Sequence, residues 1–254
     1  MPASRIKQPP FLPMTRAECA ALGWDALDVI IITGDAYVDH PSFGAALIGR
    51  TLVDAGYRTG IIAQPRWKTD EDFLSLGAPR LFFGITAGNM DSMVNHYTAQ
   101  KKIRSDDAYS PGGVAGMRPD RASLIYAQHV KRLFKGVPVV LGGIEASMRR
   151  IPHYDYWSDT VRNSLLLDAK ADMLVYGMGE KQIRTIARRL DAGEPPGALN
   201  NIPGTVCASK AADAQPHVML APLDECRAPD GFHTMSRVFD ADYRVKTVYQ
   251  PFAG

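Results

Sequence analysis

Cysteine is scarce: Cys19, Cys207 and Cys226 are the only three in 254 residues. They are too few and too scattered for a disulfide framework, and none stands in a CxxC pair. The sequence therefore predicts a reducing, cytoplasmic setting. Charge of one sign is not in excess either. Lys and Arg number 29 against 27 Asp and Glu, for a net charge of +2, so no whole-surface field recruits nucleic acid or an anionic membrane. Neither partner is expected. Long apolar runs are missing too: the longest aliphatic stretch, Val29 to Ile32, falls far short of the roughly 18 residues a membrane span requires. The opening MPASRIKQPPFLPM lacks the apolar core of a signal peptide. No GxGxxG, GxxxxGK[ST], GxSxG or HExxH motif occurs. Cys207, His217, Cys226 and His233 lack the short paired spacings of a structural zinc site, so no metal site is expected.

What the sequence does have is the alternation of a parallel α/β protein. Asp28 to Thr33 is continuously apolar and β-branched, which fits a strand buried on both faces. After it, Ser42 is placed to cap a helix that Gly56 stops. Further strands are predicted at Thr59 to Ala63, Leu81 to Thr86, Val137 to Leu141 and Met173 to Tyr176, with helices over Asp120 to Lys135 and Glu180 to Ala192. Thr15-x-x-Glu18 has the form of a capping box. The reading is a doubly wound α/β domain whose five parallel strands run in the order 2-1-3-4-5. It covers 1–194. Beyond Gly193, prolines at 195, 196, 203, 216, 222 and 229 break the periodicity until a helix near Thr234 to Tyr243, so 195–254 is read as an extended linker and appendage.

In such a sheet, ligands bind beyond the carboxyl ends of the strands, where the strand order reverses. Four loops fall there, at 34–44, 86–98, 142–159 and 177–182. The first offers Asp35, Asp39 and His40, which suit a cation or a ligand hydroxyl or else a helix start. The second offers Asn89, with Asp91 or Ser92 as a helix cap. The third is the richest, with Gly142, Gly143, Glu145, His153, Asp155 and Trp157 crowded together. In the fourth, Gly177, Gly179 and Glu180 open a helix; Glu180 occupies its positive end and so disfavours a phosphate there.

These loops carry a family resemblance. TGDAYVDHPSFG, IIAQPRW, LFFGITAGNMDSMVNHYTAQKK, PDRASLIY, LGGIEASMRRIPHYDYWSD and ADMLVYGMGE resemble the N-terminal region of the YgiQ-type radical SAM proteins, from about Pro13 to Glu194. The resemblance implies a Rossmann-like, cobalamin-binding-like domain placed ahead of a radical SAM barrel. It also implies a [4Fe–4S] cluster and S-adenosylmethionine in that barrel, held through CxxxCxxC. This chain lacks that motif, so the barrel is expected as its missing C-terminal partner and no cofactor is assigned to the chain from its own motifs. A DxHxxG cobalamin signature is also not matched, because Asp39 and His40 are adjacent. Cobalamin held by the loops alone stays open.

The expected role is that of an accessory domain, positioning a cofactor or substrate over the barrel through Asp39, His40, Asn89, Glu145, His153, Asp155, Trp157 and Glu180. Two alternatives stand beside it. One is a non-catalytic docking module with an apolar patch for the barrel; the other is a stand-alone small-molecule enzyme working through His153 and Asp155 or through His40 and Asp39.

Overall fold

The computed structural model describes residues 6, 8–209, 218–244, 248, 249 and 251. Near its start, the Thr15 side chain accepts the Glu18 amide and the Glu18 carboxylate accepts the Thr15 amide, closing the expected capping box on α1 (Arg16–Ala21). Val29–Thr33 forms β1, buried along its whole length. Each of its isoleucines contributes roughly 1.5–3 kcal/mol by leaving water. The unit is completed by α2 (Gly44–Asp54) and β2 (Thr59–Ala63), with Gly56 at φ 93° making the turn out of the helix.

There follow α3 (Glu71–Leu74), β3 (Phe82–Thr86), α4 (Ser92–His96), α5 (Ala122–Leu133) and β4 (Val139–Leu141). The third loop then makes α6 (Gly143–Met148) and an antiparallel hairpin of β5 (His153–Asp155) and β6 (Thr160–Arg162). After α7 (Leu165–Asp168) come β7 (Met173–Val175), α8 (Glu180–Asp191) and β8 (Thr205–Val206). The last described elements are β9 (Val218–Met219), α9 (Leu223–Arg227), α10 (Gly231–Arg244) and β10 (Val248–Tyr249). No described helix is long and apolar enough to cross a membrane.

The main sheet runs β2-β1-β3-β4-β7-β8. Its first five strands are parallel and in the expected order. The sixth corrects the five-stranded expectation: β8 pairs antiparallel with β7, Leu174 opposite Val206. Two residues are too short to show a period, and the prolines around them read as linker. Leu199 and Ile202, from the same segment, are buried in the main core.

Right-handed crossovers place the helix of a leftward connection and that of a rightward one on opposite faces of the sheet. Thus α2 covers one face and is joined there by α8, whereas α5 covers the other and meets α3. A second, small core unites Ile151 with Leu220, Cys226, Met235 and Val238, tying the hairpin to the chain's last helices. His217 and the side chain of His233 lie outside the described residues.

Candidate functional site

The four predicted loops meet along the carboxyl edge of the sheet. The Gly34 amide donates to the Thr86 carbonyl (3.2 Å) and the Gly142 amide to the Ile85 carbonyl (2.8 Å), while the Gly177 amide donates to Ser147 Oγ (3.1 Å). Gly34 is required by this closeness, since a Cβ there would lie 2.1 Å from the Ala87 carbonyl oxygen. Phe43 stands at the N-cap of α2 and gives it no side-chain hydrogen bond. The expected Ser42 cap is corrected: Asn89, from the next loop, accepts the Gly44 amide (3.3 Å) and donates to the Ser42 carbonyl (3.1 Å).

Two buried charge clusters fix these loops. Arg118, 2% exposed, bonds Asp35 and Asp107 at 2.8 Å each and the Ala87 carbonyl at 3.1 Å. Asp35 also accepts the Asn89 amide (2.7 Å). Burial pushes the Asp35 carboxyl up despite these bonds. Glu145, 1% exposed, accepts the Ser92 amide (2.9 Å), the Ser92 hydroxyl and the Ser123 amide (3.0 Å). The Ser92 hydroxyl in turn accepts the Ala122 amide (3.1 Å). One carboxylate thereby satisfies the starts of α4 and α5, whose positive ends favour it.

Between α2, α8 and the sheet lies a crevice of about 290 Å³. Ile31, Leu52, Phe82, Val140, Val175 and Ile183 give it apolar walls. Its floor is Gly84, in the middle of β3, which keeps partial solvent access although its flanking residues Phe83 and Ile85 are buried. A Cβ on Gly84 would meet only Ile31 and Phe82, at 3.7 and 3.8 Å, so the missing side chain is what leaves the space. The mouth is formed by Thr86, Gly88, Asn89, Gly142, Gly143 and the 177–180 turn. Gly143 is itself constrained: at φ 82°, a Cβ would stand 2.3 Å from Thr86 Oγ1. Such a cleft at a strand-order switch suits a small organic ligand.

The family profile described as Radical SAM N-terminal matches residues 11–250. The chain belongs to that family. Relatives include a UPF0313 protein of Pseudomonas aeruginosa, 63% identical over 77% of this chain and 26% of its own length. The UPF0313 protein YgiQ of Escherichia coli is 59% identical over 80% of this chain and 28% of its own. A UPF0313 protein of Shewanella oneidensis is 54% identical over 96% of this chain and 29% of its own. The chain thus spans less than a third of the relatives it matches. Among solved structures, the radical S-adenosylmethionine methyltransferase TsrM of Kitasatospora setae, with tryptophan substrate and a SAM analogue bound, superposes with a TM-score of 0.47. It is 18% identical over 72% of this chain and 28% of that one.

Within this radical SAM N-terminal domain the sequence-predicted residues divide into two groups. Asn89, Gly142, Gly143, Gly177, Gly179 and Glu180 line the crevice. Asp39, His40, Glu145, His153, Asp155 and Trp157 do not. Asp39 pairs with Arg50, which also holds the Pro9 and Pro10 carbonyls (2.6 and 2.7 Å), so it straps the N-terminal segment over α2. Arg50 holds the Asp39 carboxyl below the usual carboxylate range. His40 is exposed, its Nδ1 accepting the Ser42 amide (3.1 Å). Asp155 is buried against Arg121 and Ser158. His153 is buried with its Nδ1 at 3.2 Å from the Ile151 carbonyl, and burial pushes its pKa down to about 4. Trp157 packs against Tyr97, the ring centroids 5.2 Å apart and the planes tilted by 40°. These three build the hairpin, apart from the crevice.

Sequence reasoning missed Gly84, Arg118 and Asp107. A lone glycine inside an apolar strand was a usable signal for close approach by a ligand or backbone. Arg118 and Asp107 gave none, because Arg118 joins Asp107 to Asp35 and the Ala87 carbonyl, which come from the distant loops after β1 and β3.

Proposed function

We propose that this domain holds a small cofactor or substrate in the crevice over Gly84 and presents it to the radical SAM barrel of a longer protein. The observation that carries the reading is the crevice itself: an apolar slot at the switch edge, kept open by a glycine where the sheet would otherwise place a side chain. The relatives' length supports the second half, since each extends far beyond the region it shares with this chain. In this reading the [4Fe–4S] cluster and S-adenosylmethionine belong to the barrel. Cys19 and Cys226 are buried, with thiols pushed up by burial, and are poor cluster ligands. The free, buried thiols of Cys19 and Cys226 suit a cytoplasmic setting.

Cobalamin is one ligand to test. A protein-ligated cobalt does not fit the donor set. His40 Nδ1 takes the Ser42 amide, which leaves the neutral ring's proton on Nε2, and the neighbouring Asp39 is engaged by Arg50. A corrinoid here would be gripped by the loops and crevice alone, with Gly142, Gly143 and Asn89 at its edge. The domain boundary in this reading falls after Val206, since β8 extends the sheet that carries the site.

A docking role is favoured by a separate observation. Met178 is 85% exposed, and Ile144 and Met148 stand exposed on α6, an apolar rim that a barrel can cover. The test is calorimetric titration of the chain with hydroxocobalamin and with S-adenosylmethionine, alongside Gly84→Leu. Heat with hydroxocobalamin that Gly84→Leu abolishes supports the crevice reading, and heat with S-adenosylmethionine that Gly84→Leu abolishes keeps the crevice but overturns the assignment of that cofactor to the barrel. No heat with either, together with capture of a separately made barrel segment of a relative, supports docking instead.

A further inference from the structure

We infer that Glu180 sets the chemical class the crevice admits: a flat apolar body ending in a cationic or neutral hydrogen-bond donor, and not in a phosphate or carboxylate. This inference rests on the crevice being a ligand site, as proposed above.

Among the described residues lining the crevice, Glu180 is the one titratable side chain. The other polar side chains at the mouth are already used. Asn89 is held between Gly44 and Ser42, and Thr86 Oγ1 accepts the Gly88 amide (3.2 Å). The Glu180 carboxylate, half-buried at the first position of α8, makes no hydrogen bond or ion pair among the described residues. The cations nearest it along the helix are directed elsewhere: Lys181 is exposed and outside the crevice lining, and Arg184 pairs with Asp54 of α2.

Glu180 therefore presents acceptor oxygens, and nothing but acceptors, beside an apolar slot. A ligand amine, amidinium, amide N–H or hydroxyl gains a charge-assisted bond there. A ligand phosphate or carboxylate meets a like charge in a place partly removed from water, where the repulsion is weakly screened. The same residue opens the first turn of α8, whose exposed amides would otherwise favour an anion.

The probes are 2-naphthylmethylamine and 2-naphthoate, matched in their apolar body and opposite in charge, titrated at pH 7 into the 254-residue chain and followed by calorimetry and amide NMR shifts. The amine is expected to bind at least about tenfold more tightly than the acid, with the 177–180 amides moving. In Glu180→Gln the preference falls to within about threefold, and in Glu180→Lys it reverses. Thermal unfolding checks that the variants fold; if Glu180→Lys does not, Glu180→Gln alone decides. Equal binding of both probes, lost in Gly84→Leu, overturns the role of Glu180 and leaves the crevice standing. A preference unchanged in Glu180→Gln overturns it too. No binding of either probe overturns both.

Discussion

The carboxylate of Glu145 and the backbone amide of Ser92, fifty-three positions apart, form a buried 2.9 Å hydrogen bond that joins the start of α4 to α6. With the Ser92 hydroxyl and the Ser123 amide also on it, this one side chain accepts three donors at the starts of α4 and α5. Glu145→Ala leaves buried donors unpaired and is expected to cost about 2–4 kcal/mol. Glu145→Gln keeps the size but turns a donor toward one of those donors, and should lose roughly 1–2 kcal/mol. Urea unfolding followed by circular dichroism measures both. Midpoints equal to the unaltered chain's would show the knot to be dispensable.

Arg118 bridges Asp35 and Asp107 where all three are nearly inaccessible. Arg118→Met strands two buried carboxylates, an expected loss of about 3–5 kcal/mol. Adding Asp35→Asn and Asp107→Asn to that variant removes the stranded charges and should restore some of the loss, which a triple-variant unfolding series reads directly. A triple variant less stable than Arg118→Met alone would refute this.

The parallel sheet was legible because its signals are local. β1 and β2 declare themselves by β-branched runs, and Thr15 with Glu18 or Asp91 with Met93 work within a few residues. The loops' convergence followed from topology. The individual side chains did not follow. Glu145 and Asp155 look like chemistry in one dimension, but their partners Ser92, Ser123 and Arg121 arrive from distant segments, while His153 is buried within its own hairpin against the Ile151 carbonyl. Gly84 was passed over because an apolar strand reads as filled, although the one residue of β3 without a side chain leaves the crevice open.

Gly34 and Ala87 test the loop geometry. Because a Cβ on Gly34 would meet the Ala87 carbonyl at 2.1 Å, Gly34→Ala must push apart backbone segments that hydrogen-bond through Thr86. A loss of about 2 kcal/mol or more is expected. Gly84→Ala, one strand away with open space above it, should change stability by less than about 1 kcal/mol. Comparable losses in the two variants, measured by urea unfolding, would contradict the distinction.

His153 gives the domain an acid-sensitive hairpin. Its buried Nε2 has no hydrogen-bond partner among the described residues, so the imidazolium would carry a second N–H with no acceptor. Burial, with Arg149 and Arg162 nearby, holds its pKa down to about 4, against the pull of Asp155. In the unfolded chain the ring titrates near 6.5. Between these values the unfolded state binds the extra proton and the folded state does not, so stability rises with pH across that window. The contribution is intact above about pH 6.5 and drains away toward pH 4, by roughly 3 kcal/mol in all. Asp28, Asp107 and Asp155, held below the carboxylate range, add further loss at lower pH whether or not residue 153 titrates. The comparison that isolates His153 is therefore the unaltered chain against His153→Gln, each unfolded in urea at pH 7 and pH 4.5. Gln does not titrate, so the variant should lose roughly 2 kcal/mol less over that interval, even if it is less stable at pH 7. Identical losses would mean that the ring is protonated in the folded chain and that some acceptor reaches Nε2.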